Sequence, residues 1–170
     1  MTRKPSVGKQ QCAIGVRRTY HGKPDLIEEN ALAGSGQIGD CVFFYGTLLP
    51  QHTPPAMRRV VARLRLLGEG SVRGRLYDLG NYLGAVLDDA WDKRVYGAVF
   101  QLPDRSTILD ELDRYEGYDA ASPRLCLFVR RRHPVELSEG DIIECWVYEY
   151  NGEPAGMPVI SSGRYGKAGE

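Results

Sequence analysis

The sequence predicts an α+β fold in which six or seven short strands curl into a sheet or small mixed β-barrel, with one or two outer helices. Three observations lead there. Short apolar runs recur from Cys41 to Tyr150, separated by Gly, Asn and Asp. One segment alone, between Asp104 and about Glu116, carries a clear helical period. A chain of 170 residues is long enough to bury one good core, so one domain is expected.

Residues 1–40 mix Lys, Arg, Gly, Glu and Asn without period, and 31–36 read as linker. A flexible N-terminal extension over 1–40 is therefore expected, then a domain over 41–166 and a tail over 167–170. Cys41 to Tyr45 is a continuous apolar run that fits a strand buried on both faces. Pro54-Pro55 opens a short helix from about Ala56 to Ala62. Strands follow at Leu64–Gly70, Ser71–Asp78, Gly84–Leu87 and Arg94–Leu102. After the main helix, with Asp104 as its N-cap, Arg124–Arg132 and Ile142–Tyr150 complete the set. The turn Ser138-Glu139-Gly140-Asp141 joins the last two as a hairpin. No internal repeat is visible.

Composition excludes several function classes. Lys+Arg 22 against Asp+Glu 22 leaves no basic surplus, so neither nucleic acid nor an anionic membrane is expected as partner. No apolar stretch approaches the ~20 residues that span a bilayer. The basic N-terminus lacks the apolar run of a secretory signal, and a cytoplasmic location is expected. Cys12, Cys41, Cys126 and Cys145 form no C-x-x-C, and no His stands near them at zinc spacing. They read as structural thiols, with a disulfide or a catalytic Cys as alternatives. His21, His52 and His133 do not form a metal pattern either.

Two segments carry chemistry. In the helix, Ile108, Leu109, Leu112 and Tyr115 form one apolar stripe. At about 100° per residue Glu116 falls between Leu109 and Leu112, inside the stripe. Asp110, Asp113 and Arg114 fall on the solvated side, and Glu111 near the boundary. A carboxylate facing a core at a helix C-terminus is disfavoured as an anion by burial and by the dipole. Both effects raise its pKa toward the range of a general base. The alternative is that the helix frays at Gly117 and Glu116 turns to water. The second segment is the end of the first strand, Tyr45-Gly46-Thr47-Leu48-Leu49-Pro50. Gly46 permits unusual backbone angles and Pro50 cannot continue a ladder, so the chain turns there. Successive free N–H groups in such a turn can hold an anion; the alternative is a purely structural turn.

Other motifs have plainer readings. Arg130 and Arg132 share one strand face and Arg131 takes the other, which reads as a solvated edge. Trp146, Tyr148 and Tyr150 form a one-face aromatic row, read as core packing or as a cavity lining in which Tyr148 or Tyr150 bonds a ligand. Ser161-Ser162-Gly163 lacks the partners of a serine hydrolase.

Taken together, the strand-end loop and Glu116 resemble the gamma-glutamylcyclotransferase superfamily, in particular its gamma-glutamylamine cyclotransferase-like branch. The resemblance extends through 67–80, 84–86, 95–97, 109–118, 145–152 and 160–165. It implies a small mixed barrel with helices outside. It also implies that Tyr45, Gly46, Thr47 and Leu48 hold the α-carboxylate end of a γ-glutamyl substrate and that Glu116 is the catalytic acid/base. The implied reaction closes the γ-glutamyl group to 5-oxoproline and releases the attached amine, with no metal or organic cofactor. Removal of a γ-glutamyl protecting group within a pathway, or a non-catalytic binding module on the same fold, are the alternatives. Three positions depart from the family pattern: Ala98, Leu83 and Arg164-Tyr165. They bear on which amine leaves. The oligomeric state is not readable.

Overall fold

All four residues of the first strand, β1 (Cys41–Phe44), are buried, because both of its faces meet a core. The protein is described from a computed structural model covering residues 39–103 and 107–166. All but the last two residues of the expected N-terminal extension, the 167–170 tail and the expected cap Asp104 lie outside the described residues.

After β1 come α1 (Arg58–Val61), β2 (Arg65–Asp78), β3 (Leu83–Leu87), β4 (Arg94–Gln101), α2 (Ile108–Glu116), β5 (Phe128–Leu137) and β6 (Ile142–Tyr150). The sheet order is β3-β2-β4-β1-β6-β5, and β2 also pairs with β5. Strands β2, β4, β1, β6 and β5 thus close a barrel, and β3 extends it from β2. The β1–β6 pair is parallel and the others are antiparallel, so the barrel is mixed.

Side-chain alternation along β1 divides the core in two. Cys41, Phe43 and Tyr45 face inward with Val72, Leu76, Val95, Val99, Val135, Cys145 and Val147. Val42 and Phe44 face outward against Val60, Val61, Phe100, Ile108, Leu112, Phe128 and Tyr148. Both helices pack there. Burying a Leu or Ile side chain stabilises by roughly 1.5–3 kcal/mol, so the fully buried Ile108 and Leu112 hold α2 on the barrel wall. Cys41 and Cys145 are adjacent across β1 and β6, and both are free thiols, as are all cysteines among the described residues.

Some expected boundaries differ for physical reasons. Leu64–Gly70 and Ser71–Asp78 are one strand, β2. Gly70 is a point of close approach rather than a turn: it pairs with Leu137 where β5 closes the barrel, and an added Cβ would lie 3.0 Å from the Glu136 carbonyl oxygen. The strand expected at Arg124–Arg132 starts at Phe128, after a 3-10 turn at Pro123–Leu125, and runs on to Leu137. Helix α1 is shorter than expected, and α2 begins at Ile108. Among the described residues no helix is long and apolar enough to cross a membrane.

Candidate active site

Position follows from the ends of two elements. Where β1 stops, Gly97 of β4 passes so close that an added Cβ would lie 2.0 Å from the Phe44 carbonyl oxygen. Beyond Phe44 the chain leaves the sheet and turns, with the Leu49 amide donating to the Gly46 carbonyl at 3.1 Å. Among the described residues the amides of Gly46, Thr47 and Leu48 meet no acceptor. Gly46 does not have a positive φ, and an added Cβ there would meet open space. Its role is therefore to leave room, not to permit an unusual backbone angle.

The Tyr45 hydroxyl is engaged within the fold. Its hydroxyl donates to the Tyr148 carbonyl at 2.6 Å and accepts from the Ala85 amide at 3.3 Å, which ties β1 to β6 and β3. Burial and the charge of Glu116 push its pKa up, so it stays a phenol.

Helix α2 does not fray before Glu116. Gly117 adopts a left-handed φ of 69°, and the Tyr118 amide donates to the Asp113 carbonyl at 2.8 Å, ending the helix immediately after Glu116. Glu116 borders a cavity of about 290 Å³ together with Tyr45, Gly46, Thr47 and Leu48. The walls are Phe44, Tyr82, Leu83, Tyr115, Leu127, Phe128, Tyr148 and Tyr165. Thr47 Oγ1 and the Tyr115 hydroxyl lie 3.4 Å apart across it. Among the described residues the Glu116 carboxyl forms no ion pair or hydrogen bond. Burial raises its pKa from 4.5 to about 7. Such a group is half-ionised near neutral pH, able to accept and to return a proton.

The helical wheel places Glu116 on the side of α2 that borders the cavity, but it does not place its neighbours correctly. Asp113, expected in solvent, has a side chain only 18% exposed and forms an ion pair with Arg130 at 3.2 Å. It sits four residues after Leu109, at the edge of the stripe, where the partner from β5 decides its environment. Arg130 is correspondingly not solvated: its side chain is 17% exposed although β5 pairs there with β6 alone, because neighbouring side chains cover it. Its guanidinium stacks over Trp146 at 4.8 Å and Tyr118 at 5.6 Å. Tyr115, expected in the stripe, is 40% exposed at the cavity rim. Of the aromatic row, Tyr148 lines the cavity and donates to Asp113 Oδ1 at 2.7 Å, whereas Tyr150 packs on Phe128. Among the described residues no cluster of His, Cys, Asp and Glu has metal-site geometry.

Residues 42–167 match the family of gamma-glutamyl cyclotransferases described as AIG2-like. The chain belongs to that family. Solved structures share its fold. They include YkqA of Bacillus subtilis, at 20% identity and TM-score 0.54 over 74% of this chain and 39% of that one. An AIG2-like protein of Mus musculus gives 20% identity and TM-score 0.54 over 70% of this chain and 84% of that one. An Arabidopsis thaliana protein gives 18% and 0.51 over 71% of this chain and 75% of that one. The chain thus spans less than half the length of YkqA. No curated protein sequence matches it. In this AIG2-like chain, two departures from the family pattern, Leu83 and Tyr165, line the cavity. Ala98 and Arg164 do not; Arg164 stacks over Tyr96 at 4.1 Å.

Proposed function

We propose that this protein is a γ-glutamyl cyclotransferase that releases 5-oxoproline from γ-glutamyl amines. The observation that carries the reading is the unpaired Glu116 carboxyl, with its pKa of about 7, set beside a turn whose amides lack acceptors. The open amides of Gly46, Thr47 and Leu48 hold the substrate α-carboxylate without a basic side chain. Glu116 takes a proton from the α-ammonium. The freed amine attacks the γ-carbonyl carbon of its own molecule and closes a five-membered ring. The bond from that carbon to the leaving nitrogen then breaks as Glu116 delivers the proton to that nitrogen. The ring nitrogen gives up its second proton to the regenerated Glu116 carboxylate, which passes it to the released amine or to water. Holding the bent conformer is the main task, because nucleophile and electrophile arrive joined.

The cavity walls bear on the leaving group. Tyr82, Tyr115, Tyr165, Leu127 and Phe128 supply aromatic and apolar surface, and no Lys or Arg is among the lining residues. A leaving amine that carries its own carboxylate beside the scissile bond would be desolvated there without a partner. The favoured substrates are γ-glutamyl conjugates of plain or aromatic amines. The test is 5-oxoproline release, followed by mass spectrometry, from a γ-glutamyl alkylamide, γ-glutamyl anilide, γ-glutamyl-alanine and glutathione. Release from the first two and little from the last two is expected. Silence of the folded wild type across the panel would overturn the cyclotransferase reading.

A further inference from the structure

From the contacts of β5, β6 and α2, we infer that Asp113 and Arg130 are positioning residues that fix the Tyr148 hydroxyl as a hydrogen-bond acceptor for the substrate's α-amino group. The inference rests on the γ-glutamyl reading of the cavity.

Tyr148 is 4% exposed and lines the cavity. Its hydroxyl donates to Asp113 Oδ1 at 2.7 Å, while Asp113 Oδ2 lies 3.2 Å from an Arg130 guanidinium nitrogen. With its one proton committed to a carboxylate, the phenol oxygen presents only lone pairs elsewhere. A group with an N–H to donate can meet them, and the substrate's α-ammonium is such a group. Burial, then the hydrogen bond to Asp113, push the Tyr148 pKa up, so the phenol keeps that proton. Glu116 and Tyr148 line the same cavity. Asp113 stands three residues before Glu116, so one helix end presents both carboxyl groups on adjoining sides.

Stability alone explains this pair poorly. Arg130 is 17% exposed on its side chain; its Nε is buried without a hydrogen-bond acceptor, and the Nη1 that lies 3.2 Å from Asp113 Oδ2 is an ion-pair contact not aligned as a hydrogen bond. Ring faces of Trp146 and Tyr118 offset part of that loss. A buried ion pair recovers little net stability against its desolvation, and well-packed apolar side chains often serve as well. What the pair does fix is the direction of the Tyr148 O–H. The Arg130 cation faces Asp113 Oδ2 while the Tyr148 hydroxyl faces Oδ1, and a carboxylate oxygen can only accept.

Asp113→Asn inverts that direction with little change of shape. The Asn carbonyl turns to Arg130 and its NH₂ donates to the phenol, whose own O–H must then point toward the ligand. Tyr148→Phe removes the acceptor altogether. Each single variant should lower kcat/KM on the best substrate of the panel by on the order of 10- to 100-fold. The double variant should be no slower than Tyr148→Phe, because the two act through one hydroxyl. Arg130→Lys should retain more activity than Arg130→Met. A binding readout separates the role from turnover: by calorimetry, wild type should prefer glutamine to its des-amino counterpart, glutaramic acid, and Asp113→Asn should lose that preference. Wild-type-like turnover and selectivity in both single variants, at unchanged melting temperature, would overturn the inference and leave the γ-glutamyl reading intact. So would additive losses in the double variant. A wild type inert to the whole panel and blind to glutamine would overturn both.

Discussion

Replacing Glu116 by Gln separates a catalytic carboxyl from a structural one, because the two predict opposite changes in stability. Burial raises its pKa from 4.5 to about 7. At 1.36 kcal/mol for each tenfold change in proton affinity, this is a penalty of about 3 kcal/mol on the ionised form in the folded protein. The unfolded chain ionises near 4.5 and the folded chain only near 7, so the folded state binds more protons between those values. Stability from this group is therefore complete below about pH 4.5, is lost as pH rises toward 7, and stays lost above it. Glutamine is neutral throughout and escapes the penalty. Glu116→Gln should thus melt higher than wild type at pH 8, by up to roughly 6–12 °C at 2–4 °C per kcal/mol for a chain of this size. At pH 4.5 the two should melt together. The assay is fluorimetric melting at both pH values, paired with 5-oxoproline release, which the variant should lose. In wild type, kcat/KM should climb with pH through about 7, as Glu116 becomes the base. A lower melting temperature for the variant at pH 8, or a gain of equal size at both pH values, would refute the reasoning.

The two glycines around the loop should respond in contrasting ways. Gly46→Ala should melt like wild type, since an added Cβ meets open space, yet KM should rise as the methyl enters ligand room; steady-state kinetics and a melt check this together. Gly97→Ala places a Cβ about on top of the Phe44 carbonyl oxygen, 2.0 Å away, so β1 must separate from β4. It should destabilise by ~3 kcal/mol or more in chemical denaturation, or prevent soluble expression.

The legibility of this protein in its sequence follows from how local each signal is. Apolar runs from Cys41 and Ile142 became strands because a continuous or alternating pattern needs no distant partner to be recognised. Glu116 was legible for the same reason: its angle on α2 is set relative to Leu109 and Leu112, about two turns and one turn before it in the same helix. The turn after Phe44 was legible from Gly46 and Pro50, although Gly46 leaves room there rather than adopting an unusual backbone angle. Tertiary structure alone decided the rest. β2 reads as two strands until β5 is seen to cross it at Gly70. Asp113 reads as a surface acid until Arg130, seventeen positions on in β5, is placed beside it. Tyr148 reads first as core and only second as cavity lining, and only closure of β6 against β1 and the seating of α2 give its hydroxyl a direction. Periodicity reports which face a side chain takes; which groups meet across that face depends on chain closure, and this sequence encodes it only through the packing of the whole barrel.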